Sequence, residues 1–216
     1  MTTKLITVIL LFSGLNLCLL LGQTSKKTNL EVLEQDISGE LEKILFYPDV
    51  NRDIQFVFYV TSVSKDKNEK KFIESVIKKT ADKNRLKISF SKDEQMLSTD
   101  SFYNKVNIGI IKLNTAYTKL VKNKFLGDKS IERVVSSELS IEISTNLEET
   151  KVKDKILTSY KGEIPYESYE NFETGEYSFT QSIPPNISWF ETIIFPAVIV
   201  TVSAAATILF FIIRSK

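Results

Sequence analysis

The chain of 216 residues has no histidine, a single cysteine, one tryptophan, five prolines and seven glycines. Without imidazole, Ser-His-Asp and Cys-His catalysis have no base. Without imidazole or a set of thiolates, the ordinary donors for zinc and similar metals are missing, so the expectation is no metal and no cofactor. Glycine is too sparse and too scattered for a phosphate loop or a dinucleotide fingerprint. Cys18 lies in an apolar run near the amino terminus, and Leu15-Asn16-Leu17 before it lacks the small residues of a lipoprotein processing site. A mature chain that has lost this segment has no thiol left for a disulfide. From Gln23 to Ser188 there are 25 Lys plus Arg against 26 Asp plus Glu, a balance that gives nucleic acid no electrostatic reason to bind.

Charge is absent in one long stretch. From Ile193 to Ile213 no side chain ionises, although a quarter of the whole chain is charged. At about 1.5 Å of rise per residue, such a helix crosses the roughly 30 Å hydrocarbon core of a bilayer. Ser188 with Glu191 offers a capping box at its start. Trp189 and Phe190 suit the interface, and Arg214 and Lys216 end the span on the cytoplasmic side. A kink is expected near Pro196. Within the span, Ala197, Thr201 and Ala205 recur every four residues, as do Ser203 and Thr207; small residues at that spacing permit close approach of a second helix.

At the other end, Lys4 precedes an apolar run from Leu5 to Leu21, which reads as a secretory signal peptide. The expected organisation is a signal peptide over 1–22, an extracytoplasmic domain over 23–162, an acidic aromatic stalk over 163–188, a transmembrane helix over 189–213 and a cytoplasmic tail over 214–216. This is a single-pass type I arrangement, with the domain in the periplasm or outside the cell.

Between the ends, Leu30, Leu33, Ile37, Leu41, Ile44 and Leu45 recur at helical spacing behind a Thr28/Glu31 capping box, and Tyr47-Pro48-Asp49 stops that helix. Asp53 to Thr61 reads as an inner strand, apolar on both faces. Asp66 to Asp82 reads as a second helix with Phe72, Ile73, Val76 and Ile77 on its buried stripe, and Leu86, Ile88 and Phe90 as a short strand. Ser91 to Asn104 reads as a loop or short helix. A strand from Val106 extends through Tyr117 and Leu120. Val135, Leu139, Ile141 and Ile143 then alternate with Ser136, Glu138, Ser140, Glu142 and Ser144, and Val152, Ile156, Thr158 and Tyr160 continue that pattern. The expected fold class is α+β: one mixed or antiparallel sheet with two packed helices, plus the carboxy-terminal membrane helix.

Gly162 to Ser188 holds five Glu and no Lys or Arg, interrupted by Tyr166, Tyr169, Phe172, Tyr177 and Phe179. Its prolines and acidity read as a stalk, a flexible spacer in the plainest reading; a purely solvated linker has no need of five aromatic rings, so the expectation is that some of this segment packs on the domain or on a partner. Asn186-Ile187-Ser188 matches a glycosylation sequon close to the membrane.

The order amphipathic helix, FVFYV strand, helix and short strand, from Asn29 to Phe90, resembles the α/β domain of curli-secretion lipoproteins and the TolB amino-terminal domain. That resemblance implies work in envelope assembly or transport. YSFTQSIPP, followed by WFE and a span ending IIRSK, resembles uncharacterised single-pass bacterial envelope proteins and implies the same location. The expected function is a non-enzymatic, membrane-anchored extracytoplasmic interaction domain whose partners are the lipid bilayer and another protein, or a second copy of itself. The alternative is a carboxylate-dependent envelope hydrolase, with Asp49, Asp53, Asp66, Asp93, Glu94 and Asp100 as the available acids.

Overall fold

The computed structural model describes residues 27–64, 66–92, 102–122, 128–145, 150–187, 193 and 195–214. The signal-peptide reading with Cys18, the Ser188/Glu191 cap, Trp189, Phe190, Lys216 and the acids Asp93, Glu94 and Asp100 lie outside these residues. Helix α1 (Asn29–Leu45) starts at the expected capping box. Thr28 Oγ1 accepts the Glu31 N–H at 3.2 Å, and Glu31 Oε2 accepts the Thr28 N–H at 2.7 Å. Strand β1 (Gln55–Ser62), helix α2 (Lys67–Asn84) and strand β2 (Ile88–Phe90) come next in the chain. Asp66 caps α2 by accepting the Asn68 N–H at 2.8 Å.

The second half is a meander of three long strands: β3 (Tyr103–Lys122), β4 (Lys129–Thr145) and β5 (Thr150–Pro165). All five strands form one mixed sheet in the order β2-β1-β3-β4-β5. The β1 strand pairs parallel with β2 and β3, while β3, β4 and β5 run antiparallel. Helices α1 and α2 cover one face. Phe56, Phe58, Val106, Ile108, Leu139 and Ile141 from the sheet meet Leu33, Ile37, Leu41, Phe72, Ile73 and Ile77 from the helices in a single core.

Most of the expected helical stripes are buried; Val32 joins that of α1, and Leu30 lies at its margin. The helices are tied together by Ser38 Oγ and Thr80 Oγ1 at 2.8 Å, and flanked by Lys79–Glu34 at 2.7 Å and Lys83–Glu42 at 2.8 Å.

Two irregularities interrupt the pairing of β3 with β4, one between Ile110 and Lys112 and one between Tyr117 and Lys119. At the first, the core-facing residues change from Val106, Ile108 and Ile110 to Leu113, Thr115 and Tyr117. A bulge inserts one residue and so exchanges the faces of the strand beyond it. Without that shift Tyr117 would point away from the helices.

The expected stalk is instead part of the domain. Gly162 to Pro165 complete β5, and 166–187 form a strap of two 3-10 turns, Tyr166–Phe172 and Ser178–Thr180, laid against the sheet and α2. The cause is aromatic burial: Phe179 keeps 6 % of its surface exposed and packs on Phe72 with ring centroids 5.2 Å apart. Burying a ring of this size contributes about 1.5–3 kcal/mol, which a solvated spacer would forgo.

Helix α3 (Phe195–Arg214) closes the chain, and its window Pro196–Ile213 is apolar enough to cross a membrane, with none of it buried. Pro196 stands in the first described turn, where its missing N–H removes no bond within that helix. Ile193, just ahead of it, is itself in a π-helical turn, and the kink expected near Pro196 falls where residues 191, 192 and 194 lie outside those described.

Helix α2 ends on Arg85, whose φ of 56° and ψ of 34° lie in the left-handed region. A side chain with a Cβ is disfavoured there by roughly 1–2 kcal/mol, partly offset by the freedom glycine has when unfolded. Arg85→Gly is expected to leave the fold unchanged and raise stability by up to about 1 kcal/mol, read from urea unfolding of the detergent-solubilised chain.

Candidate functional site

At one end of the sheet the core row is polar. Tyr117 on β3 stands opposite Arg133 on β4, which stands opposite Gly162 on β5. Arg133 is 1 % exposed. Its Nη1 donates to Asn29 Oδ1 at 2.8 Å and its Nη2 to the Lys27 carbonyl at 2.7 Å. Both acceptors are neutral, and Nε, although buried, has no hydrogen-bond partner among the described residues. The guanidinium also lies 5.3 Å from the Phe172 ring centroid and 5.4 Å from that of Tyr160.

Gly162 makes room for the second of these rings. A Cβ there would sit 2.7 Å from the Tyr160 hydroxyl oxygen and 2.8 Å from a ring carbon.

The positive charge is linked to a carboxylate through two neutral groups. Asn29 Nδ2 donates to the Thr180 carbonyl at 2.8 Å and approaches the Tyr117 hydroxyl oxygen at 3.3 Å. The Tyr117 hydroxyl donates to Glu173 Oε1 at 2.9 Å, and the same oxygen accepts the Ser182 N–H at 3.0 Å. Arg133, Asn29, Tyr117 and Glu173 thus form a relay joining β4, α1, β3 and the strap. Burial raises the Tyr117 pKa well above that of an ordinary tyrosine; the Asn29 bond opposes this, and the Glu173 carboxylate adds to the rise. The strap is further pinned where Ser178 donates to Asp66 Oδ2 at 2.8 Å and Asn68 to the Glu176 carbonyl at 3.2 Å.

The five aromatics singled out for partner docking all contact the chain's own domain. Tyr166, Tyr169 and Phe172 pack around Tyr117, Ile131 and Ile164, and Tyr177 and Phe179 pack against Phe72. They do not form one exposed patch. In α3, Ala197, Thr201, Ala205, Ser203 and Thr207 are exposed, and the hydroxyls of Thr201 and Thr207 donate back to the Ala197 and Ser203 carbonyls at 2.7 and 2.8 Å. Arg214 is the last residue of that helix.

Among the acids considered for hydrolysis, Asp49 and Asp53 are exposed near the turn before β1. Asp66 is occupied as a cap: the Asn68 N–H and the Ser178 hydroxyl hold its carboxyl below the usual range. A concavity of about 750 Å³ lies on the sheet face away from the helices, with Tyr59, Asn107, Gly109 and Ser140 in its lining. Its two carboxylates already have partners. Glu142 meets Lys153 at 3.7 Å, and Asp154 accepts the Lys155 N–H at 2.7 Å. Among the described residues no group of three or more acids, His or Cys is placed to hold a metal ion.

No family model matches the sequence, and no curated protein matches it. Among solved structures, a neuraminyllactose-binding hemagglutinin homolog from Helicobacter pylori aligns over 53 % of this chain and 68 % of its own, at 12 % identity and a TM-score of 0.35. A likeness of that size establishes neither fold nor activity.

Sequence reasoning missed Arg133 and Asn29. Arg133 does carry a signal, since it occupies the odd-numbered face of β4 together with Ile131 and Val135. Asn29→Leu would strip Arg133 Nη1 and the Thr180 carbonyl of their partner and is expected to cost about 3–5 kcal/mol. Asn29→Leu combined with Arg133→Met should recover most of that loss in a double-mutant cycle. Because the Tyr117 pKa is raised in the fold, its stabilisation is intact below the unfolded value near 10 and declines as pH rises past it. Urea midpoints of wild type should therefore fall more steeply above about pH 10 than those of Tyr117→Phe.

Proposed function

We propose that this chain is a membrane-anchored extracytoplasmic domain that binds another protein, as a component of a bacterial envelope assembly or transport system. The observation that carries the reading is the apolar window Pro196–Ile213, with mean hydropathy 2.4 and no residue buried, attached to a domain that completes its core without it. An apolar rod of this length left uncovered by its own domain calls for lipid around it. The chain read as signal peptide, domain, span and cationic end then displays the domain on the far side of the bilayer.

Binding, as opposed to catalysis, is supported by what the polar groups are doing. The carboxylates in the concavity beside Tyr59 and Ser140 are turned to lysine side chain or backbone, and the buried polar relay joins elements of the fold with Arg133 closed off from solvent. Glu142 and Asp154 both line that concavity, but Glu142 faces Lys153 and Asp154 is turned back onto the Lys155 N–H, so the pair is not set out as the acid and base that the hydrolase reading requires. A long sheet with one face free of helices among the described residues offers instead a surface for a partner.

Protease added outside intact cells stripped of any outer barrier should digest the domain and leave the span protected. Crosslinking in native membranes, coupled to mass spectrometry, should recover the chain joined to one recurrent protein. Recovery of a lone monomer after efficient crosslinking would defeat the assembly reading, and a domain shielded from external protease would reverse the orientation.

A further inference from the structure

The sheet ends on a long unpaired strand. Among the described residues β5 pairs with β4 alone, over sixteen residues, and no second strand covers its outer side. The Lys155 N–H donates to Asp154 Oδ1 at 2.7 Å. An N–H free to take that side chain points away from β4. By the alternation of an antiparallel ladder, Leu157, Ser159 and Lys161 then also turn their N–H and C=O groups outward. The side chains of these odd-numbered residues share the sheet face away from the helices, since Val152, Ile156 and Ile164 hold the core face.

That face of the edge carries a row of lysines, with Glu163 at its Pro165 end. Lys153, Lys155 and Lys161 lie along it with exposed Leu157 between them. Lys153 and Lys155 reach Glu142 and Glu138 on β4 only at 3.7 and 3.8 Å, with 79 % and 62 % of their side chains exposed. Each ammonium group can take a second carboxylate from the other side. Lys161 stands opposite Val134, which offers no charge.

We propose that β5 accepts an extended segment of a partner protein by strand addition, and that this segment carries acidic residues at alternate positions facing the lysine row. The proposal rests on the interaction-domain reading and names its surface. Main-chain bonds to Leu157, Ser159 and Lys161 supply the pairing, an apolar side chain opposite Leu157 fixes the register, and carboxylates opposite Lys155 and Lys161 select the partner. A second copy of this strand is a poor occupant, because its lysine-rich face would meet the same lysines; edge lysines commonly exclude such self-pairing.

The test uses the full chain in detergent and a fluorescent ten-residue peptide in which Val and Thr alternate with facing residues that are Leu opposite Leu157 and Glu at the other facing positions, with anisotropy as the readout. Saturable binding is expected, with at least a tenfold loss for a peptide of scrambled order. Ser159→Pro removes an outward N–H without touching the β4 ladder and should weaken binding at least tenfold while circular dichroism stays unchanged. Lys155→Glu with Lys161→Glu should abolish binding of the acidic peptide and create binding of the Lys-for-Glu version. Should the proline variant fail to fold, the charge-reversed pair still decides. No saturable binding, or equal binding of ordered and scrambled peptides, overturns the proposal. Membrane crosslinks that persist unchanged in both variants would remove β5 as the surface and leave the interaction domain standing, whereas loss of the recurrent partner from wild type would defeat the domain reading itself.

Discussion

A guanidinium placed in the core row of β4 dictates how this end of the sheet is closed. Arg133 cannot reach water, and moving such a charge out of solvent costs several kcal/mol even after relaxation. The cost is met by acceptors brought from three directions. Asn29 and the Lys27 carbonyl come from the start of α1, the Phe172 and Tyr160 rings lie beside the cation, and Glu173 supplies negative charge through Tyr117. Each requirement fixes an element. The first holds the amino end of α1 over the sheet, and the second needs Gly162 without a side chain. The third holds the strap against β3.

The register shift in β3 belongs to the same constraint. If the strand kept its parity beyond Ile110, Tyr117 would face solvent, and the relay from cation to carboxylate would be broken at its middle. The bulge therefore has a consequence well beyond its own position. It also divides the core-facing surface into two regions. The larger is apolar and lies under both helices; the smaller gathers Tyr117, Ile131 and Ile164 under the strap's aromatics. Strap and sheet complete one another here, which is why a segment rich in Glu and lacking any cation is ordered at all.

The features legible in the sequence are those set by near neighbours. The Thr28/Glu31 cap, the Phe72-Ile73-Val76-Ile77 stripe and the alternation from Val135 to Ile143 are local patterns, and each appears where its period places it. The relay was not legible because its partners are far apart: Asn29 meets Thr180 across 151 residues and Arg133 across 104. A single arginine in an alternating strand looks like a solvent-facing position, and only the parity of its neighbours says otherwise. The five aromatics announced that the segment before the span packs somewhere. Whether they pack inward or on a partner depends on the row exposed by β3, which no local pattern reveals.

The strap also limits where the domain can be. The described domain ends at Ile187 and the described span begins at Phe195, eight residues later. Fully extended, that link reaches at most about 28 Å, so a domain with its strap seated stays close to the bilayer. Detached at Pro165, the same chain would have thirty residues before Phe195 and could reach about 100 Å. The contacts at Glu173, Ser178 and Phe179 thus hold the domain near the membrane as well as closing its core.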